Sequence, residues 1–375
     1  MRGAEADDGD PPRPTRPGAG VARWAGRAAL GLVLLAALAA PLLAGGPVGR
    51  GGVALTTWLQ DHAGWLTPAM RAVTFLGDEA FAVLGFPLLY WAVSRRLALR
   101  VGVVLLLSTG LNEAAKLAGH TPRPPFLDPS LGLAEETTFG APSGHAQHGL
   151  VVWGALAAEL RRRWAWVAAL ALAALLGLSR LHLGVHYPGD LAAGWALGAA
   201  LLLGYVRWRA AVASWLASRS PQATVALALA ASLGLVALAV AARLSVPDWQ
   251  PPASWVGVDA EHWPMSLSHA VTPAGALFGI GLGSVWLASK GGFRVDGPLW
   301  QRALRYLVGL AGVLALWQGL GALLPDGQEP VALACRWLRY AAVGAWVAGL
   351  GPLLFVRLGL AEADDAAGRP PRKGA

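Results

Sequence analysis

The chain has 375 residues, of which 55% are hydrophobic and only 14% charged, with a formal net charge of +8. Uncharged blocks such as Ala28–Leu43 and Ala223–Ala242 exclude a single soluble domain, which would interleave polar with apolar residues to present a charged surface. The basic excess does not indicate nucleic acid, because Lys and Arg gather at the ends of apolar runs and in short loops instead of forming a continuous patch, and the lone Cys335 excludes an intramolecular disulfide or a cysteine-rich metal site.

Residues 1–20 are rich in Pro, Gly, Asp and Arg and lack the bulky apolar side chains that offset the entropy of ordering, so a mobile tail is expected there. Val21–Ala44 carries arginines ahead of an apolar core, and its polar leader and length favour a retained first helix over a cleaved signal peptide. Val53–Phe75 mixes Trp, Thr, Asp and His and suits a helix lying at the interface better than one crossing it. Apolar runs of membrane-spanning length give helices near 24–44, 79–95, 97–118, 144–161, 164–180, 190–208, 222–243, 271–289, 304–323 and 337–356. The fold class is therefore all-α, a polytopic transmembrane bundle of ten spans.

Lys and Arg in short loops mark the cytoplasmic side. Arg13, Arg16, Arg23 and Arg27 precede the first helix; Arg95, Arg96 and Arg100 follow the second; Arg161, Arg162 and Arg163 follow the fourth; Arg207, Arg209 and Arg219 follow the sixth; Lys290, Arg294, Arg302 and Arg305 follow the eighth. With Arg369, Arg372 and Lys373 at the other end, both termini are expected in the cytoplasm, and the loops after the third and fifth helices face outward. Arg336 and Arg339 fall on the outer side in this count and leave the start of the last helix open.

Those two outer loops hold three polar patches. In the first, Lys116 and Arg123 bracket the end of the third helix, where a mobile ammonium and a planar guanidinium fork can converge on one oxyanion. Taken alone, both also suit snorkelling cations at a helix end. In the second, Pro142-Ser143-Gly144-His145 opens the fourth helix. Unpaired backbone N–H groups and the positive helix end face an anion there, Ser143 can cap or donate its hydroxyl, Gly144 allows close approach and His145 can give up a proton. An ordinary Ser-capped helix is the bland reading of this tetrapeptide. In the third, Arg180 ends the fifth helix, and His186 and Asp190 lie four residues apart at the start of the sixth. A carboxylate one turn from an imidazole can accept its N–H and leave the other nitrogen free to attack phosphorus. Asp190 suits an N-cap equally well. Three cations, two histidines and an aspartate on one side supply what phosphoryl transfer through a histidine requires.

The patches read K-x6-R-P, P-S-G-H and S-R-x5-H-x3-D, and in them the chain resembles the type 2 phosphatidic acid phosphatase superfamily, which also includes vanadium-dependent haloperoxidases. The resemblance covers about residues 50–210. It implies a six-helix phosphatase core, 21–210, followed by a four-helix membrane extension, 211–358, that it does not cover, and a second tail, 359–375. What it implies chemically is hydrolysis, without metal or cofactor, of a lipid phosphate or diphosphate such as phosphatidate, phosphatidylglycerol phosphate or a polyprenyl diphosphate. His186 would be the nucleophile that forms a phosphohistidine, with Asp190 orienting it. His145 would protonate the leaving group, and Lys116, Arg123, Ser143, Gly144 and Arg180 would cradle the phosphoryl oxygens. The expected setting is a bacterial-type inner membrane with the site on the extracytoplasmic face. A lipid phosphotransferase using the same histidine and a non-catalytic lipid transporter are the alternatives.

His120, His182 and His148 lie near the patches without occupying a motif position and are read as supporting or interfacial residues, His148 the best placed of them. Zinc is disfavoured because Lys116, Arg123 and Arg180 would repel it. In the last third, the acids and tryptophans between Arg243 and His269, Trp249 among them, read as solvated acids and interfacial anchors, ahead of the alternative that this loop shapes a lipid headgroup entrance or covers the active site. Gly275, Gly279, Gly281 and Gly283 permit close helix packing, against the catalytic bundle or across a homodimer contact.

Overall fold

The computed structural model describes residues 50–258 and 264–364. The expected first tail and the expected first span lie outside them, as do Asp259, Glu261, His262 and Trp263; of the expected second tail, 359–375, residues 359–364 are described, with Ala361 buried in a core with Phe355 and Asp364 paired with Arg95 at 3.1 Å. All the regular structure among the described residues is helical, with no strand. Helices α1 (Arg50–Ala63) and α2 (Thr67–Phe75) are joined by a single 3-10 turn and are followed by α3 (Glu79–Val93), α4 (Arg95–Gly119) and the short α5 (Pro124–Leu127). Then come α6 (Gly144–Leu160), α7 (Arg163–His182), α8 (Pro188–Ala217), α9 (Pro221–Leu244), α10 (Ser268–Ser289), α11 (Leu299–Leu323) and α12 (Pro330–Arg357).

Seven of these, from α4 and α7 to α12, are long and apolar enough to cross a membrane. Gly52–Phe75 and Glu79–Val93 meet the same test only as a pair, bent by 49° at the break between them, so the segment read as interfacial can also be half of a broken span. Helix α6, also read as a span, has 17 residues. The multi-pass all-α reading therefore stands, with seven qualifying spans, or eight with the bent pair, among the described residues, on which nine of the ten expected spans fall.

Local sequence sets the boundaries. Ser94 starts α4 by accepting the Leu97 N–H at 3.3 Å, and His120, with φ 49°, ends it in the left-handed conformation. Prolines at the first turn open α8, α9 and α12, where a missing N–H costs nothing. The last helix begins at Pro330, ahead of the expected 337, so Arg336 lies within it and pairs with Asp326 at 2.7 Å.

Helices α4, α6, α7 and α8 share one apolar core that includes Val151, Trp166, Ala173 and Leu202. At one end of this bundle Glu159 ties three helices together: its carboxylate meets Arg100 of α4 at 2.8 Å, Arg209 of α8 at 2.9 Å and the Tyr205 hydroxyl at 2.8 Å. The polar patches lie at the other end. There α1 and α2 pack along α7, with Gln60 donating to the His182 carbonyl at 3.1 Å and to that of Leu131 at 3.0 Å.

The last four helices are centred on α10. A Cβ on Gly275, Gly279 or Gly283 would meet the backbone of Trp337, Ala341 or Ala345 of α12 at 2.4, 2.0 and 2.8 Å, so these glycines serve packing inside the extension itself. Gly281 faces Ala228 of α9 in the same way. Helix α3 enters this second unit: Tyr90 and Trp91 are fully buried in a core with Ile280, Phe293, Val347 and Phe355, and their polar atoms donate to the carbonyls of Ala348 at 3.1 Å and Val347 at 2.9 Å. The sequence boundary near 210 is therefore not a boundary in packing.

Candidate active site

The three patches, up to 74 residues apart between Lys116 and Asp190 in sequence, come together around one cavity of about 220 Å³. Lys116, Arg123, Gly144, His145 and His186 line it; Ser143, Arg180 and Asp190 are buried directly behind. All eight candidate residues are thus brought into one constellation.

His186 is 1% exposed, held in the short loop between α7 and α8. Arg123 Nη1 lies 2.9 Å from its Nε2, and because a guanidinium can only donate, Nε2 must carry the lone pair. The ring proton then sits on Nδ1, which donates to Asp190 Oδ2 at 3.2 Å. Burial, and after it the positive charges of Arg123, Arg180 and Lys116 with His145, hold the His186 pKa well below the usual value of 6.5. The imidazole is therefore neutral, its contact with Asp190 is a hydrogen bond, and the Nε2 lone pair faces Arg123. Asp190 is not the N-cap: Tyr187 is, and Asp190, at the third helical position, reaches back to accept the Tyr187 N–H at 2.9 Å. One carboxylate oxygen thus orients the imidazole and caps α8.

The cations converge from three elements. Arg123 is fixed by Thr138, whose carbonyl accepts from Nε at 2.5 Å and whose hydroxyl accepts from Nη2 at 2.9 Å, and by the Val185 carbonyl at 3.0 Å. Lys116 donates to the same hydroxyl at 2.9 Å and to Glu113 at 3.1 Å. Arg180 donates to Thr74 of α2 at 2.7 Å. Buried Ser143 Oγ and Arg180 Nε have no partner among the described residues. Two orphaned donors beside a cationic cavity are costly unless something accepts from them, and an oxyanion has the acceptor lone pairs to do so.

Sequence reasoning missed two acids that complete the site. The first is Glu136, whose carboxylate bridges Arg180 Nη2 and, at 3.0 Å, Arg123 Nη2. Burial pulls this carboxyl upward, but Arg123, Arg180, His145 and Lys116 together carry it down to about 2. It is ionised and occupies the guanidinium fork that a phosphoryl group would require. The second is Asp78, in the turn between α2 and α3, with Oδ1 2.9 Å from His145 Nε2. Gly77 makes that approach feasible, since a Cβ there would lie 2.6 Å from the imidazole Cδ2. His186 and His145 thus each have their own carboxylate. No motif flagged Asp78 or Glu136; their acidity near the motif loops was the only signal.

The neighbouring histidines separate. His148 lines the cavity and meets Ser108 at 2.9 Å. His120 stacks between Phe139 and Trp249, and His182 meets Thr67 at 2.9 Å, neither of them lining the cavity. Trp249 was read as a membrane anchor, but its ring packs on His120, Phe139 and Trp255, so this loop folds down onto the first patch.

The PAP2 superfamily model matches residues 97–214, which contain every motif position, and the model for the PAP2 superfamily phosphatase transmembrane extension matches residues 271–363. The latter reaches the helices that the motif resemblance left uncovered. The chain is 32% identical over 114 residues to an undecaprenyl-diphosphatase of Sulfolobus acidocaldarius, covering 30% of this chain and 54% of that protein. It is 28% identical over 152 residues to phosphatidylglycerophosphatase B of Bacillus subtilis, covering 36% and 70%. To glucose-6-phosphatase 3 of Bos taurus it is 31% identical over 176 residues, covering 40% and 51%. The chain spans about half the length of the first and third of these relatives.

Proposed function

Because this chain belongs to the PAP2 superfamily, we propose that it is a membrane phosphatase that hydrolyses a lipid phosphate or diphosphate in two steps through His186. The observation that carries the reading is the convergence of three separate motifs, with complementary chemistry, on one cavity. The phosphoryl group enters as a dianion and displaces the Glu136 carboxylate from Arg123 and Arg180, while Lys116, Ser143 and the N-terminal end of α6 at Gly144 take its remaining oxygens. His186 Nε2 attacks phosphorus in line, and the P–O bond to the leaving group breaks as His145 gives that oxygen its proton. Asp190 retains the Nδ1–H throughout and stabilises the cationic phosphohistidine. Neutral His145 then takes a proton from water, whose oxygen attacks phosphorus and releases His186 and inorganic phosphate. The cations supply the charge neutralisation that a metal would provide, so the reaction proceeds without one.

The basic loops support a reading in which this end of the bundle faces the extracytoplasmic side of an inner membrane with both termini cytoplasmic, and in which the apolar tail reaches the site sideways between helices. Three relatives named for different substrates set the test panel. Free phosphate is measured from phosphatidate, phosphatidylglycerol phosphate, polyprenyl diphosphate and glucose 6-phosphate, in detergent with a chelator present. Release from at least one lipid that persists with chelator, is blocked by vanadate and disappears in His186→Ala is expected. Loss on chelation would overturn the metal-free step, transfer of the phosphoryl group to an added alcohol without free phosphate would make the protein a transferase, and full function of His186→Ala would favour a lipid carrier.

A further inference from the structure

The C-terminal extension does more than pack beside the catalytic bundle. His269, exposed at the N-terminal end of α10, lines the same cavity as His186, His145 and Lys116. Its Nε2 lies 3.3 Å from Thr137 Oγ1, and Thr137 sits between Glu136 and Thr138, the two residues that hold the site cations. A second contact comes from α12, where the Tyr340 hydroxyl donates to Glu79 Oε1 at 3.3 Å; Glu79 lines the cavity beside Asp78, the partner of His145. The extension therefore touches the cavity wall next to the group that would protonate the departing oxygen. Asp78 and Glu79 face the cavity from this wall, Asp78 partnered by His145 and Glu79 by Tyr340, while Glu113 pairs with Lys116.

Resting on the phosphatase reading above, we infer that the extension completes the substrate site and that His269 is a specificity-determining residue that hydrogen-bonds the leaving-group side of the substrate, in a wall whose carboxylates favour an uncharged alcohol over an anionic phosphate as leaving group. A neutral or charged imidazole offers an N–H donor to an ester oxygen near the scissile phosphate, while Asp78 and Glu79 repel a second phosphate. Binding energy used there, away from the reacting phosphorus, separates substrates that share the same phosphoryl group.

The test compares kcat/KM of wild type, His269→Ala and His269→Gln in detergent on phosphatidate, a polyprenyl diphosphate and p-nitrophenyl phosphate. Wild type is expected to prefer phosphatidate to the diphosphate. His269→Ala loses about tenfold on phosphatidate and less than about twofold on p-nitrophenyl phosphate, and His269→Gln, which keeps a donor, recovers most of that loss. Equal losses on phosphatidate and p-nitrophenyl phosphate would reduce His269 to a tether for Thr137. No loss on either, or a wild-type preference for the diphosphate, would also overturn the inference. A wild-type protein inactive on every phosphate ester would instead sink the phosphatase reading on which it rests.

Discussion

At the scale of single residues, the decisive contact is Arg123 against His186 Nε2, because it settles which nitrogen carries the proton. Since burial and the surrounding cations depress the His186 pKa well below 6.5, the ring is already deprotonated at pH 6.5 and protonates only at lower pH. Protonation removes the nucleophile. The acid limb of a kcat/KM profile, which reports the free enzyme, should therefore fall well below pH 6.5, and a limb centred at 6.5 or above would contradict the assignment. Glu136 gives a second prediction. Its carboxylate competes with phosphate for Arg123 and Arg180, so Glu136→Gln should strengthen inhibition by inorganic phosphate, by about tenfold. The same change leaves two buried guanidinium groups without their anion, so the variant should unfold at lower temperature and regain stability as phosphate is added. In the wild type the stabilisation from Glu136 is complete above its ordinary carboxylate pKa of 4.5 and is lost as pH falls toward about 2.

At the scale of helices, what could be read from the chain and what could not divide along physical lines. Apolar runs located α4, α7, α8, α9 and α10 closely, because length and hydropathy are local properties. Boundaries set by capping moved: α12 starts at Pro330, and Asp190 sits inside α8 behind a Tyr187 cap, since a cap depends on geometry that composition does not encode. The motif residues were legible because their spacing is specific. Asp78, Glu136 and His269 were not: Asp78 and His269 act through partners 67 and 132 residues away, and Glu136 matters because it bridges Arg123 and Arg180, which no local spacing brings together. The stripe Gly275, Gly279 and Gly283 announced a close contact without naming its partner, which is α12 of the same chain.

At the scale of the molecule, catalytic bundle and extension share material. Tyr90 and Trp91 belong by sequence to the first and by packing to the second, and His269 crosses the other way to the cavity. Truncation after residue 219 would strip the cover from both aromatic side chains and from their hydrogen bonds. The shortened protein is expected to lose most of its thermal stability in detergent and all measurable phosphatase activity, as followed by fluorescence-detected size exclusion and phosphate release; an active, monodisperse fragment would show the two units to be independent.

The Glu159 cluster has a mechanical consequence. With α4, α6 and α8 cinched together by Arg100, Arg209 and Tyr205 at the end remote from the cavity, the bundle resembles a clothes peg whose spring is fixed. On the proposed reading, helices that part to admit an apolar tail are expected to splay at the cavity end, because the opposite end is held by two ion pairs and a hydrogen bond on Glu159.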